Sequence, residues 1–168
     1  MLDSSIFDPE KLIGTLSSHK VRYVLIGALA ARLQGFPRHT SDADISPAAD
    51  HQNLENLAAA LKELNSKIFT ETVPDGLPFD CSAVSLKQAD MWNLVTKAGR
   101  LDIAFKPAGT NGYDELIKKA VQFEIFGKNI YAASLEDIIK SKKAADRPQD
   151  RQDIIILNEI LERRSGTT

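Results

Sequence analysis

A short apolar segment that ends at a glycine restricts the fold of this chain more than any other feature of the sequence. Residues 21–26, Val-Arg-Tyr-Val-Leu-Ile, are rich in branched side chains and predict a buried strand. Gly27 interrupts this strand, and the helix-forming residues 28–34 follow it up to Gly35. Free backbone N–H groups at the start of such a helix suit a phosphate, although an ordinary strand–helix turn has the same pattern.

Two aspartates follow in a segment that alternates polar and apolar residues. Asp42 and Asp44 are two positions apart, so on a strand both side chains project from the same face, about 6–7 Å apart along the backbone. Ala43 and Ile45 then point into the core. Converging carboxylates repel each other, and a cation between them relieves that repulsion. Such oxygen ligands suit magnesium bound together with substrate phosphates. The alternative is that the two aspartates lie on a solvated strand edge and bind no cation.

A third aspartate lies in a predicted hairpin. Its strands are residues 92–96 and 100–105, and Gly99 occupies a turn position that favours a positive φ. The buried face of the second strand is formed by Leu101, Ile103 and Phe105. Asp102 is therefore expected on the opposite face, where an acid in mid-strand is either solvent-exposed or functional.

Basic residues lie near the end of a later predicted helix. Ser134-Leu-Glu-Asp is typical of a helix N-terminus, and this helix is expected to extend to about Ala145. Lys142 and Arg147 carry the charge to neutralise a triphosphate, and an arginine can bind two oxygens at once. Solvated cations that interact with the helix dipole are the alternative for both residues.

The remaining segments predict further helices and strands around these positions. They are helices over residues 52–64 and 113–121, a candidate strand at 68–72, a hairpin of 123–126 and 129–132 that turns at 127–128, and a last helix with Pro148 in its first turn. We expect residues 1–168 to form one domain. Its fold class is α+β (mixed α/β), with a mixed sheet packed against helices.

The order of these blocks resembles the DNA polymerase β-like nucleotidyltransferase superfamily. The blocks are Gly27-Ala28, Arg38-x-Thr40-x-Asp42-x-Asp44, Leu101-Asp102 and Lys142-x-x-x-x-Arg147-x-x-Asp150. The chain is most similar to a small bacterial branch, the AbiEii/AbiGii-type toxin nucleotidyltransferases and their relatives. The similarity spans roughly residues 20–160, and the combination of blocks is specific although no single block is.

The resemblance implies a role for each matched residue. Asp42 and Asp44 would bind metal, and Asp102 would be the third catalytic and metal-site carboxylate, which orients the nucleophile. The nucleotide-binding residues would be Gly27, Ala28, Arg38, Thr40, Lys142 and Arg147. Asp150 would support the site as a cap that holds Arg147. In the nucleotidyltransferase-like sheet, the three carboxylates would lie on one exposed face.

The activity implied is transfer of a nucleoside monophosphate from an NTP to an acceptor hydroxyl of a protein, an RNA or a small molecule. Two Mg²⁺ ions would assist, and the chain could be a toxin of a toxin–antitoxin or abortive-infection system. Ala28 departs from the Gly-Gly or Gly-Ser that is common in the superfamily. A non-catalytic nucleotide-binding or toxin–antitoxin interaction module of the same fold is therefore the alternative. Metal-dependent glycosyltransferases also use Asp-x-Asp, but Asp102 and the Lys142/Arg147 block favour nucleotidyl transfer.

Composition limits the cellular setting and the partners. A net charge of −2 argues against nucleic acid as the main partner. One cysteine excludes an internal disulfide, and with three scattered histidines it excludes a structural zinc site. Residues 1–10 lack the basic and apolar segments of a signal peptide, and no apolar run is long enough for a membrane span. We expect a soluble, cytoplasmic protein whose partners are an NTP, an unknown acceptor, and an antitoxin-like protein or a second copy.

Overall fold

The computed structural model describes residues 6–166, in which seven helices and seven strands occur. The helices are α1 (Pro9–Ser18), α2 (Gly27–Leu33), α3 (His51–Glu63), α4 (Ala83–Leu86), α5 (Tyr113–Leu116), α6 (Leu135–Ala145) and α7 (Pro148–Ser165). The strands are β1 (Tyr23–Ile26), β2 (Asp42–Pro47), β3 (Lys67–Ile68), β4 (Met91–Thr96), β5 (Gly99–Ala104), β6 (Val121–Ile125) and β7 (Lys128–Ala132). The prediction about a signal peptide falls partly outside the described residues, because these begin at residue 6.

The seven strands form one mixed sheet in the order β3-β4-β5-β2-β1-β7-β6. Strand β1 pairs antiparallel with β2 and parallel with β7, while β2 pairs parallel with β5. The two predicted hairpins, β4–β5 and β6–β7, flank the central β1–β2 pair. The expected α+β fold with a mixed sheet is confirmed.

The hydrophobic core lies against one face of the central strands. Ala43 and Ile45 on β2 are 1% exposed, and Leu101 and Ile103 on β5 are fully buried. Leucines of α1 and α3, Leu12 among them, belong to the same buried cluster. Alternation along β2 and β5 therefore leaves the acidic positions on the opposite face. No helix of the described residues is both long and apolar enough to cross a bilayer.

Local signals in the sequence place several turns and helix ends correctly. Gly99 has a φ of +103°, as the predicted hairpin requires. The Ser134 hydroxyl accepts a 3.1 Å hydrogen bond from the Asp137 backbone N–H and so caps α6. Pro148 is in the first turn of α7, where its missing N–H costs no hydrogen bond.

The helix predicted over residues 113–121 is wrong in length. Helix α5 ends at Leu116, and the backbone N–H groups of Lys118 and Ala120 bond to carbonyls three residues earlier. Val121 instead pairs with Ala132 at the end of the β6–β7 ladder. A branched residue with a strand partner thus favours the sheet over a further helical turn.

Two other predictions differ from the structure, and a further element was missed. The candidate strand over 68–72 is shortened to Lys67–Ile68, because Ile68 exchanges backbone hydrogen bonds with Leu77 and the chain reverses. The second hairpin turns at residues 126–127 rather than 127–128, with a positive φ at both. Helix α1 was not predicted, although Asp8 caps it through the Lys11 N–H, at 3.0 Å.

Candidate functional site

Strand β2 presents Asp42 and Asp44 on the face opposite the core. Both are partly buried and alternate with the buried Ala43 and Ile45. The Thr40 hydroxyl lies 2.8 Å from the Asp42 carbonyl oxygen and 3.1 Å from Asp42 Oδ1. Thr40 therefore orders the start of β2 and the first of its two carboxylates.

Asp102 lies on the same face because β5 pairs with β2 in parallel register. Its Cα partner on β2 is Asp44, and the partner of Arg100 is Asp42. Neighbouring strands are about 4.8 Å apart, so the Asp44 and Asp102 side chains leave the sheet side by side. Three carboxylates and one guanidinium thus occupy adjacent positions on two strands.

Arg100 is a site residue that the sequence analysis missed. Its Nη2 donates a 3.1 Å hydrogen bond to Asp102 Oδ1, and its Nε donates to the Leu94 carbonyl at 3.3 Å. The guanidinium also lies 3.6 Å from the centre of the Phe69 ring. The strand alternation that located Asp102 puts Arg100 on the same face, but the stacking partner is distant in sequence.

The electrostatics of this face favour protonation of Asp44 and Asp102, whose pKa values are raised. Burial raises the pKa of Asp44 from 3.8 to about 7, and the charges of Asp102 and Asp42 add to the effect, while Lys142 and Arg100 oppose it. Burial also raises the pKa of Asp102, although the neighbouring Arg100 counteracts the shift. Negative charge at this place is therefore costly unless a cation joins it.

Gly27 provides the space beside Asp44. Its φ is +70°, and a Cβ at this position would overlap the Asp44 carboxylate. Helix α2, which begins here, has seven residues and no side-chain cap at its start. A helix this short contributes little dipole. The role of Gly27 is therefore mainly steric, because the missing side chain lets the Asp44 carboxylate lie close to the backbone.

A cluster of cations lies at the junction of α6 and α7, where Lys142 and Arg147 interact electrostatically with Asp44. Arg147, which immediately precedes α7, donates from Nε to Asp150 Oδ2 at 2.8 Å and from Nη2 to Asp150 Oδ1 at 3.2 Å. Lys142 Nζ lies 3.5 Å from Asp150 Oδ1. Burial tends to raise the pKa of Asp150, but hydrogen bonds and charge from Arg147 outweigh it and lower the pKa.

Asp153 is the second residue that the sequence analysis missed as part of the site. It is 3% exposed and contacts both Arg38 and Lys142. The sequence carries a weak signal, because Asp153 lies four positions before the fully buried Leu157 and thus on the inward face of α7. An acid on such a face needs a partner, but the sequence does not identify it.

All the predicted site residues line one cleft of about 1020 Å³. They are Gly27, Ala28, Arg38, Thr40, Asp42, Asp44, Asp102, Lys142, Arg147 and Asp150. Among the described residues, no group of three or more histidine, cysteine, aspartate or glutamate side chains is arranged to hold a metal ion. The carboxylates therefore do not form a closed all-protein cage.

Comparison with solved structures gives nucleotidyltransferases. The lincosamide antibiotic adenylyltransferase LnuA, in its lincomycin-bound structure, has a TM-score of 0.60 at 17% identity, with 93% of this chain and 99% of LnuA covered. A putative nucleotidyltransferase from Thermotoga maritima has a TM-score of 0.56 at 20% identity, over 92% and 96% of the two chains. The antibiotic-resistance factor ANT(2'')-Ia has a TM-score of 0.52 at 15% identity, over 94% and 91%.

At these identities the similarity establishes the fold. Comparison with the curated proteins gives no match. A family model, described as "Nucleotidyltransferase of unknown function (DUF6036)", matches residues 5–163, nearly the whole chain. Together with the structural neighbours, it confirms the resemblance to the polymerase β-like superfamily, while similarity to the AbiEii-type branch stays a prediction. The chain therefore belongs to the DUF6036 nucleotidyltransferase family.

Proposed function

We propose that this chain is a Mg²⁺-dependent nucleotidyltransferase that transfers a nucleoside monophosphate from an NTP to an acceptor hydroxyl. The observation that carries the proposal is the lining of the cleft, which brings Asp42, Asp44 and Asp102 together with Lys142 and Arg147. The three carboxylates concentrate negative charge, and the two cations suit a triphosphate. Family membership supports nucleotidyl transfer in general.

The carboxylates fit magnesium. Asp42 and Asp44 offer oxygen ligands from one strand face, and burial with like charge raises the pKa of Asp44. Mg²⁺ is usually held by one or two carboxylates together with substrate phosphates, rather than by a complete protein cage. An open pair of aspartates matches this mode, with Asp102 adjacent. When bound, the metal would supply charge neutralisation at the phosphates.

The residues of the chain divide the remaining tasks between them. Lys142 and Arg147 would bind and orient the phosphates, and Gly27 allows the Asp44 carboxylate to lie close to the backbone at the start of α2. Asp102 would accept the proton of the acceptor hydroxyl, whose oxygen then forms a bond to the α-phosphorus. The bond from that phosphorus to the bridging β-phosphate oxygen breaks, and pyrophosphate leaves.

The test is a labelling reaction with each of the four α-labelled NTPs, Mg²⁺ and three separate acceptor pools. These pools are hydroxylated small molecules, RNA and protein extract, the first motivated by the antibiotic named for LnuA. We expect label in one pool, pyrophosphate in equal amount, and neither with Asp42→Asn, Asp44→Asn or excess chelator. If the wild type labels a pool and both variants label it equally well, the proposal is contradicted.

A non-catalytic nucleotide-binding module is the second candidate, and the Arg100–Asp102 contact favours it. Nη2 of Arg100 lies 3.1 Å from Asp102 Oδ1, so the carboxylate assigned to the nucleophile already has a cationic partner. In this alternative, Mg-NTP would bind tightly but no acceptor pool would gain label and no pyrophosphate would form. The same experiment, combined with calorimetric titration of Mg-NTP, separates the two functions.

A further inference from the structure

We infer that Asp153 is a positioning residue that joins Arg38 to Lys142 and so fixes two phosphate-binding cations at one end of the cleft. The inference rests on the proposed function and assigns a role to a residue outside the superfamily resemblance described above. Asp153 lies on α7, Lys142 on α6, and Arg38 in the segment between α2 and β2. One carboxylate thus links three separate parts of the chain.

The contacts of Asp153 are short and buried. Its Oδ1 lies 2.7 Å from Arg38 Nη2, and its Oδ2 accepts hydrogen bonds from Arg38 Nη1 at 3.2 Å and Lys142 Nζ at 3.1 Å. The Asp153 side chain is 4% exposed, whereas that of Arg38 is 37% exposed. The carboxylate is therefore anchored in the protein while the guanidinium extends into the cleft that it lines.

Arg38 depends on this anchor because its own segment lacks regular structure. Residues 36–41 belong to no helix or strand, so the backbone alone does not fix the direction of the side chain. The Phe36 ring lies 5.5 Å from the guanidinium, a weaker restraint than the hydrogen bond and ion pair with the Asp153 carboxylate. Without Asp153, the arginine would lose rotameric order that nucleotide binding would have to restore.

Asp150 and Asp153 hold different arginines and share Lys142. Asp150 accepts the hydrogen bonds of Arg147, Asp153 contacts Arg38, and Lys142 lies between the two acids at 3.5 and 3.1 Å. The contacts with Asp153 use two nitrogens of Arg38, and a lysine ammonium has three N–H donors. Both cations therefore retain donors for phosphate oxygens while Asp153 sets their positions.

Charge and position predict opposite effects of removing this acid. If Asp153 acted only through its charge, Asp153→Asn would strengthen Mg-NTP binding, because a negative group near the phosphates disappears. A positioning role predicts weaker binding, about tenfold or more in Kd, since charge-assisted contacts would lose their geometry. Asp153→Glu keeps the charge but moves the carboxylate, and it should weaken binding as well.

The experiment measures Kd by calorimetry for whichever of Mg-ATP, Mg-GTP, Mg-CTP and Mg-UTP binds the wild type, with Tm recorded for each variant. Asp146→Asn is the matched control, because Asp146 pairs with Arg151 on the surface and is not part of the cleft lining. We expect the control to keep the wild-type Kd. In an Arg38→Ala/Lys142→Ala background the two cations that Asp153 positions are absent. Asp153→Asn should then change Kd less than twofold, which is about the error of a mutant-cycle measurement.

Each outcome decides the inference. A wild-type Kd in both Asp153→Asn and Asp153→Glu, with only Tm lowered, would reduce Asp153 to a structural ion pair. Tighter binding by Asp153→Asn, or a full loss of affinity that persists in the double-variant background, would also overturn it. If Asp153→Asn does not fold, Asp153→Glu and its comparison with Asp146→Asn carry the test. A wild type that binds none of the four nucleotides would instead contradict the proposed function itself.

Discussion

Asp102 lies beside Asp44 on the neighbouring strand and carries an ion pair with Arg100. Its proposed task is to accept the proton of the attacking hydroxyl, which matters in the transition state more than in the bound complex. Asp102→Asn should therefore lower kcat by about 10²–10⁴-fold while the Kd of Mg-NTP stays within a fewfold of wild type. Single-turnover rates and calorimetric titration measure the two quantities.

Two outcomes would change the assignment of Asp102. If nucleotide affinity decreased as steeply as turnover, the carboxylate would be a ground-state ligand of the metal–nucleotide complex. If neither quantity changed, the assignment of a third catalytic carboxylate would be wrong. Arg100→Ala is a useful companion variant, because it removes the contact to Asp102 Oδ1 but leaves the carboxylate in place.

Gly27 allows a prediction that separates backbone strain from site geometry. Alanine at this position would be strained at a φ of +70° and would overlap Asp44, so Gly27→Ala should lower both Tm and Mg-NTP affinity. Gly35→Ala is the matched control. Gly35 also has a positive φ, +108°, but a Cβ there would meet only Ile160, at 4.0 Å. Gly35→Ala should lower Tm but leave Mg-NTP affinity unchanged. An equal loss of affinity in both variants would show that Gly27 has no special role in the site.

At the level of individual residues, the sequence reveals which face a side chain occupies but not which groups it meets there. Alternation along β2 and β5 correctly placed Asp42, Asp44 and Asp102 opposite the core. Arg100 alternates in the same way, so the pattern places it beside Asp102, which it contacts. The Phe69 ring next to its guanidinium comes from another part of the chain, and the pattern does not indicate it. The catalytic and binding roles of these residues remain predictions.

Helices α6 and α7 meet where the cation cluster forms, and substitutions there test the phosphate side of the cleft. Lys142→Ala and Arg147→Ala should each weaken Mg-NTP binding by about 1.5–3 kcal/mol, because each removes a charge-assisted contact. Lys142→Ala should also lower Tm, since it leaves Asp150 and Asp153 with less compensation. Titration and thermal melts measure these effects.

Lys143→Ala is the matched control for the cation cluster. Lys143 is the next residue on α6, exposed and outside the cleft lining. Its removal should leave both Kd and Tm near wild type, as is usual for surface substitutions. Unchanged Mg-NTP affinity in Lys142→Ala and Arg147→Ala would instead exclude those two residues from the nucleotide site.

Elements whose ends carry their own signals were predicted well. The serine cap of α6 and Pro148 at the start of α7 act within one turn, so neighbouring residues suffice to identify them. The helix predicted from Tyr113 to Val121 is too long, because the helical spacing of the sequence does not show that Val121 pairs with Ala132 in the sheet. Helix α1 carried the Asp8-Pro9 signal, which the sequence analysis did not use.

At the scale of the whole molecule, strand order is the part of the fold that local patterns determine least. Strand β2 pairs with β5 over a separation of more than fifty residues, and this parallel register makes Asp44 and Asp102 neighbours. The resemblance to a known superfamily implied that arrangement, whereas composition and periodicity did not. The location in the cell and any protein partner also remain predictions.

The stability of the whole chain should depend on pH through the acidic face. The pKa of Asp44 is raised in the folded state, from 3.8 to about 7, so the folded protein binds this proton more tightly than the unfolded chain. The stabilising contribution is complete below pH 3.8 and is lost as pH rises to about 7. Within this window the slope approaches about 1.4 kcal/mol per pH unit. The raised pKa of Asp102 acts in the same direction.

Asp44→Asn removes this titration and gives the last prediction. Without divalent ions at pH 8, about one unit above the folded-state pKa of Asp44, the variant should melt at or above the wild-type temperature, because burial no longer penalises a charge and repulsion with Asp42 and Asp102 ends. Below pH 5 the wild type carries the proton and the difference should close.

Saturating Mg-NTP at pH 8 should reverse the order. A ligand at a hundred times its Kd stabilises the fold by about 2.7 kcal/mol, and the variant lacks one of the proposed metal ligands. Thermal melts at the two pH values, with and without Mg-NTP, provide the measurement, and equal ligand-induced shifts in both proteins would rule out Asp44 as a metal ligand.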